Sequence, residues 1–506
     1  MIAGATAGFI AKHLPVLVVL VPLMAAPACL ITGNRHATWA IATLASWTSF
    51  ALTVALFIRV AGQGPLSYSL GGWAAPFGIE YRADALNAFI LPLIAGIASF
   101  ALPYARGSIG RDVEPRQQNL FYSALLLCLA GLLGVTITGD VFNIFVFLEI
   151  SSLASYVLVA AGGGRDRRAF KAAFDYLIMG TIGASFFVIG IGFLYMATGT
   201  LNIADLAHRL ATAPADRTVR MAYGFILVGI GLKLAMMPLH QWLPNAYSYA
   251  PPAVTAFLAA TATKVSLYVL IRFLYTVFGL DDPFEAQTLK LLVMPLGIIG
   301  IFAASTVAIF QNDIRRMFAW SSIAQAGYML TGIALMTPQG LAASLVNIVN
   351  HGLTKGALFM AVGMLTLATG TSRLSDLRGI GRTMPWTMAA ILAGGLGLIG
   401  VPLTAGFISK WALVSAALDA GQWWLAGAVL LSSLLALGYV WRIVETACFG
   451  KADETRVIEP VPLAMVIPAW GLLAVSLYAG VQPALIMEGA NAAARSLLPH
   501  LTGVGG

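Results

Sequence analysis

The chain has 506 residues, of which 59% are hydrophobic and 10% charged, and its mean hydropathy of +0.86 excludes a water-soluble fold. Its net charge of +8 sits on Lys and Arg in short segments between apolar runs, which fits membrane-surface loops and excludes a nucleic-acid partner. Cys29, Cys128 and Cys448 stand singly inside apolar segments, with neither disulfide nor zinc spacing, and are read as small core residues.

In chain order, apolar runs near the length needed to cross about 30 Å of hydrocarbon predict an all-α polytopic membrane protein of fourteen spans. They cover residues 14–32, 39–60, 85–104, 118–138, 141–161, 173–197, 221–243, 251–278, 289–310, 315–335, 341–369, 385–418, 423–448 and 461–483. The first run is followed at once by the second without a small-residue cleavage site, so it is read as a retained span. Loops after odd-numbered spans carry Arg35, then Arg106, Arg111 and Arg116, then Arg165, Arg167, Arg168 and Lys171, and later Arg315, Arg316, Arg373, Arg378, Arg382, Lys451 and Arg456. Loops after even spans are poorer, with Arg82, Arg209, Arg217, Arg220 and Lys290 among several acids. The positive-inside rule therefore places both termini away from the cytoplasm of a bacterial inner membrane.

Two spans combine apolar character, helix-breaking residues and a lysine: Gly231 to Pro238 in span seven, with Lys233, and Gly400 to Lys410 in span twelve. They lie five spans apart, as expected of an inverted repeat of five spans. The expected organisation is 1–117 for spans one to three, 118–278 for the first repeat (spans four to eight), 279–448 for the second (spans nine to thirteen), and 449–506 for span fourteen and the tail.

An ionisable group at mid-bilayer costs at least about 2.5 to 3.5 kcal/mol on insertion scales, so such residues normally face the bundle interior and carry function. Six stand out: Glu149 in span five, Lys233 in span seven, Lys264 in span eight, His351 and Lys355 four apart in span eleven, and Lys410 after the break in span twelve. Lysine suits proton exchange because burial works against its charge while a nearby carboxylate supports it, and histidine relays protons because it titrates near neutrality. Glu149 and Lys233 are read as a switch that loads and unloads a proton, the alternative being an ion pair that only fixes helix register. For His351 and Lys355 the alternative is packing and hydrogen bonding with Asn347 or Asn350, and Arg272, Arg442 and Glu445 are read as interfacial.

Other patterns are set aside. Gly395 to Gly400 matches G-x-G-x-x-G but lies within an apolar helix with no strand before it, so it is read as helix packing. The histidines are too scattered for a metal or haem site, and no cofactor is expected.

Several segments together carry a resemblance: TGDVFNIFVFLE from Thr138 to Glu149, KLAMMPLHQWLPNAY from Lys233 to Tyr247, APPAVT from Ala250 with Thr263-Lys264-Val265, SSIAQAGY from Ser321, and NHGLTKGALF from Asn350. The chain resembles, over roughly spans three to thirteen, the antiporter-like subunits shared by respiratory complex I, membrane-bound hydrogenases and Mrp-type Na+/H+ antiporters. The resemblance implies fourteen helices, two inverted five-helix repeats, broken helices seven and twelve, and a proton path through Glu149, Lys233, Lys264, His351 and Lys410. Lys410 favours the D-type Mrp subunit, since one otherwise similar complex I member carries Glu there. Two departures are Pro402-Leu-Thr-Ala-Gly, where many relatives have two prolines and Ser-Gly, and Asp175, where an uncharged residue is expected. The implied partners are other membrane subunits, the lipid bilayer, protons and Na+. Three functions compete: an ion-driven exchanger subunit, a redox-driven pump arm, and an inert scaffold with vestigial charges.

Overall fold

A computed structural model describes residues 2–212, 216–280, 282–450 and 458–498, with side chains from residue 11 onward. Eleven of its helices are long and apolar enough to cross a membrane: Ala11–Ile31, Arg35–Gln63, Ala85–Ser108, Pro115–Ile137, Val141–Gly164, Arg168–Thr198, Pro252–Val277, Pro283–Ile309, Pro338–Thr369, Trp423–Phe449 and Leu463–Val481. The helix Ile314–Ala334 supplies span ten, and two interrupted elements supply spans seven and twelve, which completes the expected fourteen. Span four starts on the face where span three ends and span nine starts on the opposite one, so the two groups of five run in opposite senses across the membrane.

Several spans begin where capping side chains satisfy free N–H groups of the first turn. Asp84 caps span three in a capping box with Asn87, Asp140 caps span five through Asn143 N, and Asp313 caps span ten through Arg316 N. In each repeat the first two spans close on a glycine: a Cβ on Gly131 would meet Ser151 N at 2.7 Å, and one on Gly327 would meet Gly297 O at 2.5 Å. Lipid contributes no hydrophobic drive between helices, so such small residues allow the close approach that holds spans together.

Span seven runs as Arg217–Leu234, breaks at Ala235 (φ +58°), and resumes as Trp242–Tyr249. Pro238 supplies no N–H to continue the ladder. At the break Leu232 O accepts from Ala235 N at 3.2 Å and from Trp242 Nε1 at 2.9 Å. Span twelve runs as Pro385–Ile399, turns through Gly400 (φ +88°), and resumes as Ala405–Asp419 behind the Thr404 cap. Here the freed carbonyls of Leu398 and Ile399 accept from the Lys410 ammonium at 3.0 and 2.9 Å. Irregular backbone at this depth survives only where protein groups satisfy it, and the two breaks do so with different donors.

On the face carrying the even-numbered loops, an antiparallel hairpin pairs β1 (Leu66–Ser69) with β2 (Glu80–Ala83), Leu66 opposite Ala83. Glu80 ties it to the bundle by accepting from Asn202 Nδ2 at 2.8 Å. A short amphipathic helix, Ile203–Thr212, links spans six and seven, and the C-terminal helix Ala484–Leu497 packs against spans three and eleven. Exposed apolar side chains such as Phe170, Phe174 and Ile178 on span six and Leu430 and Leu434 on span thirteen form outer faces suited to lipid or neighbouring subunits.

Candidate proton path

All six ionisable residues singled out from sequence lie near the middle of their spans. Lys264 is the thirteenth residue from Pro252 in a span of 26, and His351 and Lys355 are the fourteenth and eighteenth from Pro338 in a span of 32. Lys233 closes the first half of span seven, and Lys410 lies one turn and a half past the second break.

Glu149 and Lys233 meet: Nζ is 3.1 Å from Glu149 Oε1 and donates to Ser152 Oγ at 2.7 Å. The lysine side chain is 8% exposed and the glutamate 25%, so the carboxylate lies at the edge of the bundle. Lys264, Lys355 and Lys410 have no carboxylate within ion-pair distance among the described residues; carbonyls and hydroxyls receive them instead. Lys264 donates to Ala259 O and to Thr263 Oγ1 at 3.2 Å. Lys355, fully buried, donates to Phe318 O at 2.7 Å and to Ser321 Oγ, with the Phe318 ring 5.2 Å away. Lys410 adds Ser433 Oγ at 2.9 Å to its two carbonyls and lies 5.0 Å from the Tyr328 ring.

The hydrogen-bonding alternative for span eleven is therefore corrected in its partners. Lys355 reaches span ten, not Asn347 or Asn350, because its long stem crosses the packed seam between spans ten and eleven. Asn350 Nδ2 instead donates to Ala405 O at 2.6 Å and ties span eleven to the second half of span twelve. His351 is 4% exposed, and neither ring nitrogen has a hydrogen-bond partner among the described residues. It shares a polar cavity of about 10 Å³ with Gln325, Asn347, Asn350, Thr354 and Lys410. A volume near 10 to 15 Å³ with several polar walls holds one water, which would join the imidazole to the lysine.

Three further charged groups take places that sequence reasoning missed. Arg272, read as interfacial, is 5% exposed and grips Asp84 with two bonds, to Oδ2 at 2.7 Å and Oδ1 at 2.9 Å, while also donating to Tyr268. Burial opposes the Asp84 charge, but Arg272 and the Asn87 amide outweigh it and hold the carboxyl below the usual range. Arg315, counted with the loop charges, is 7% exposed and donates to Ala250 O and to Thr255 Oγ1 at 3.1 Å. Asp112 is buried in the loop after span three, where burial raises its pKa against the pull of Arg165, Arg315 and Arg111. The signal available in sequence was only a charged residue next to a span end. Arg442 does sit at a span end, donating to Gln311 O and Asn312 Oδ1, and Asp175 is neutralised at the surface by Lys171 at 2.9 Å. Among the described residues, no cluster of three His, Cys, Asp or Glu side chains has the geometry to hold a metal.

A family profile described as "NADH:quinone oxidoreductase/Mrp antiporter, TM" matches residues 138–436, more than half of the chain. The chain belongs to this family. Among curated relatives it is 43% identical over 89% of its length to NADH-quinone oxidoreductase subunit N of Desulforudis audaxviator, covering 90% of that protein. It is 32% identical over 96% of its length to the D-type subunit of the Na+/H+ antiporter of Bacillus subtilis, covering 97% of it. Among solved structures it superposes on a chain of the Mrp complex from a Dietzia species with a TM-score of 0.88 at 26% identity, covering 96% of this chain and 97% of that one. A chain of the archaeal membrane-bound sulfane sulfur reductase gives the same TM-score at 28% identity, covering 96% and 98%. A Thermus thermophilus respiratory complex I chain gives 0.82 at 22% identity, covering 97% and 100%, which speaks for the fold alone. The sequence resemblance thus holds as a family assignment, shared by antiporter and oxidoreductase members.

Proposed function

We propose that the chain is the proton-translocating subunit of a multi-subunit Mrp-type Na+/H+ antiporter, a transporter subunit without a catalytic centre of its own. The observation that carries this reading is the row of buried mid-span lysines: one faces a carboxylate at 3.1 Å and three face only neutral oxygens. Such amines lie close to hydroxyl and carbonyl groups that accept from the ammonium, and Ser or Thr hydroxyls also donate to a free amine, so both protonation states find partners. His351 and the cavity it shares with Lys410 provide a relay within the second repeat. The roles of Glu149, Lys233, Lys264, His351, Lys355 and Lys410, the domain boundaries at 117, 278 and 448, and Na+ as the coupled ion belong to this proposal.

A second reading is favoured by the 43% identity to a subunit of an NADH-quinone oxidoreductase: the same path driven by a redox module. Purification of the native complex decides between them. Small membrane subunits alone, with Na+-dependent proton movement in vesicles, support the antiporter, whereas quinone- or hydrogen-oxidising chains with substrate-driven pumping replace it. An assembled complex carrying Lys410→Gln that retains normal flux would remove Lys410 from the path.

A further inference from the structure

The face carrying the even-numbered loops opens into a cavity of about 1160 Å³ between the short helix Ile203–Thr212, the end of span eight, the start of span nine and the end of the C-terminal helix. Three carboxylates line it. Asp84 is gripped by Arg272, and Asp282 lies 3.6 Å from Arg220. Glu285, in the first turn of span nine, is 3% exposed, and its Oε2 has no hydrogen-bond partner among the described residues. Tyr223 of span seven, 2% exposed, has an unpartnered hydroxyl on which the Glu285 charge acts.

A buried carboxylate oxygen without a donor loses its water and gains nothing in exchange, a penalty of ~1–3 kcal/mol. It persists where something comes to it. The titratable and charged groups facing Glu285 are Asp282 on its own helix, Tyr223 and Arg220 from span seven, Tyr275 and Arg272 from span eight, and Asp84 and Arg82 across the cavity. Among the described residues none of the arginines pairs with it: Arg220 pairs with Asp282 and Arg272 with Asp84. The helix Ile203–Thr212 presents only apolar side chains to the cavity, among them Ile203, Ala207 and Leu210. A metal cation needs several converging oxygens, and Asp282 is already engaged by Arg220. One unpartnered carboxylate oxygen is enough for a proton. From the cavity inward, Arg272, Tyr268 and Lys264 follow one another at intervals of four on span eight, so Lys264 lies about 12 Å along the helix axis from the cavity wall.

We propose that Glu285 is a proton-exchanging carboxylate at the mouth of the path on this face. It takes a proton from hydronium in the vestibule onto its carboxylate, releasing water, and returns it to water that reaches the polar column on span eight. The site rests on the proton-translocation reading above, but occupancy by a proton is measurable without transport. In the native complex in membrane vesicles, dicyclohexylcarbodiimide, which adds to protonated carboxyl groups in apolar settings, should modify Glu285. Modification, located by peptide mass spectrometry, should fall about tenfold per pH unit above the titration point of the group. Absence of modification at every pH overturns the proposal. So does modification that sodium chloride suppresses and choline chloride at equal ionic strength does not, which would make Glu285 a sodium ligand. In complexes assembled to equal levels, Glu285→Gln should lower proton flux at least about tenfold, equivalent to ~1.4 kcal/mol, while Glu285→Asp retains part of it with a displaced pH profile. Wild-type flux in Glu285→Gln overturns the proposal while leaving the central lysines in place. Normal flux when the central lysines are replaced instead removes the reading beneath it.

Discussion

The central lysines differ in what their ammonium groups meet, and that difference predicts which of them works as a pair. Only Lys233 has a carboxylate, and Ser152 shares its Nζ. Glu149→Gln keeps shape and removes charge, so the support that the carboxylate gives to the ammonium disappears. Proton flux near pH 7 is expected to fall at least about tenfold in Glu149→Gln, with partial activity in Glu149→Asp, because Coulomb coupling weakens gradually with distance. Lys233→Ala and the Glu149→Gln, Lys233→Ala double variant should then be almost equally impaired, with a coupling of ~0.5–3 kcal/mol in the cycle. Cation-induced flux in complexes assembled to equal levels measures this, and wild-type flux in Glu149→Gln from pH 6 to 9 would leave the pair purely structural. The positions of all six residues were legible in sequence because a charge inside an apolar run is conspicuous. Their partners were not: Ser321 stood inside a recognised motif, yet nothing in that motif said that it receives Lys355 from 34 residues away.

At the scale of elements, the two broken spans solve one problem with different chemistry. The indole of Trp242 is a permanent donor to Leu232 O, whereas Lys410 holds Leu398 O and Ile399 O with a group that also titrates. Trp242→Phe keeps most of the stacking on Tyr176, now 4.1 Å between ring centroids, but removes one of the two donors to Leu232 O and leaves only Ala235 N at 3.2 Å. The expected cost is ~0.5–1.5 kcal/mol, read as a lower unfolding temperature in detergent, and an unchanged temperature would mean that Ala235 N satisfies the carbonyl by itself. Because Lys410 braces its own break, Lys410→Ala would mix lost packing with lost proton exchange. Lys410→Gln retains an N–H donor of similar length and is the variant that separates the two. Both breaks were visible from Gly and Pro within apolar runs; the donor that heals each one depends on how the neighbouring halves are rotated, which no local pattern encodes.

For the whole molecule, the arginine excess of the odd loops is the basis for proposing that the face they share is cytoplasmic. Orientation follows as a testable consequence. In a background without Cys448, a cysteine replacing exposed His36, in the first turn of span two, should react with an impermeant thiol reagent only in inverted vesicles. A cysteine replacing exposed Ala74, beside the hairpin, should react in intact cells. The reverse pattern would invert the molecule and place the Glu285 vestibule on the cytoplasmic side.

Span number, the two breaks, the opposed repeats and the depth of six ionisable residues follow from the sequence by itself, because membrane crossing is decided locally: each window of about twenty residues carries its own insertion cost. The tertiary structure alone decided that Arg272 grips Asp84 from 188 residues away, that Arg315 is buried against Ala250 and Thr255, and that Glu285 Oε2 ends without a hydrogen-bond partner among the described residues beside a large vestibule. Those outcomes depend on which face each helix turns toward its neighbours. In an almost uniformly apolar bundle, hydrophobic periodicity carries little of that information, and close packing and the few polar contacts settle it.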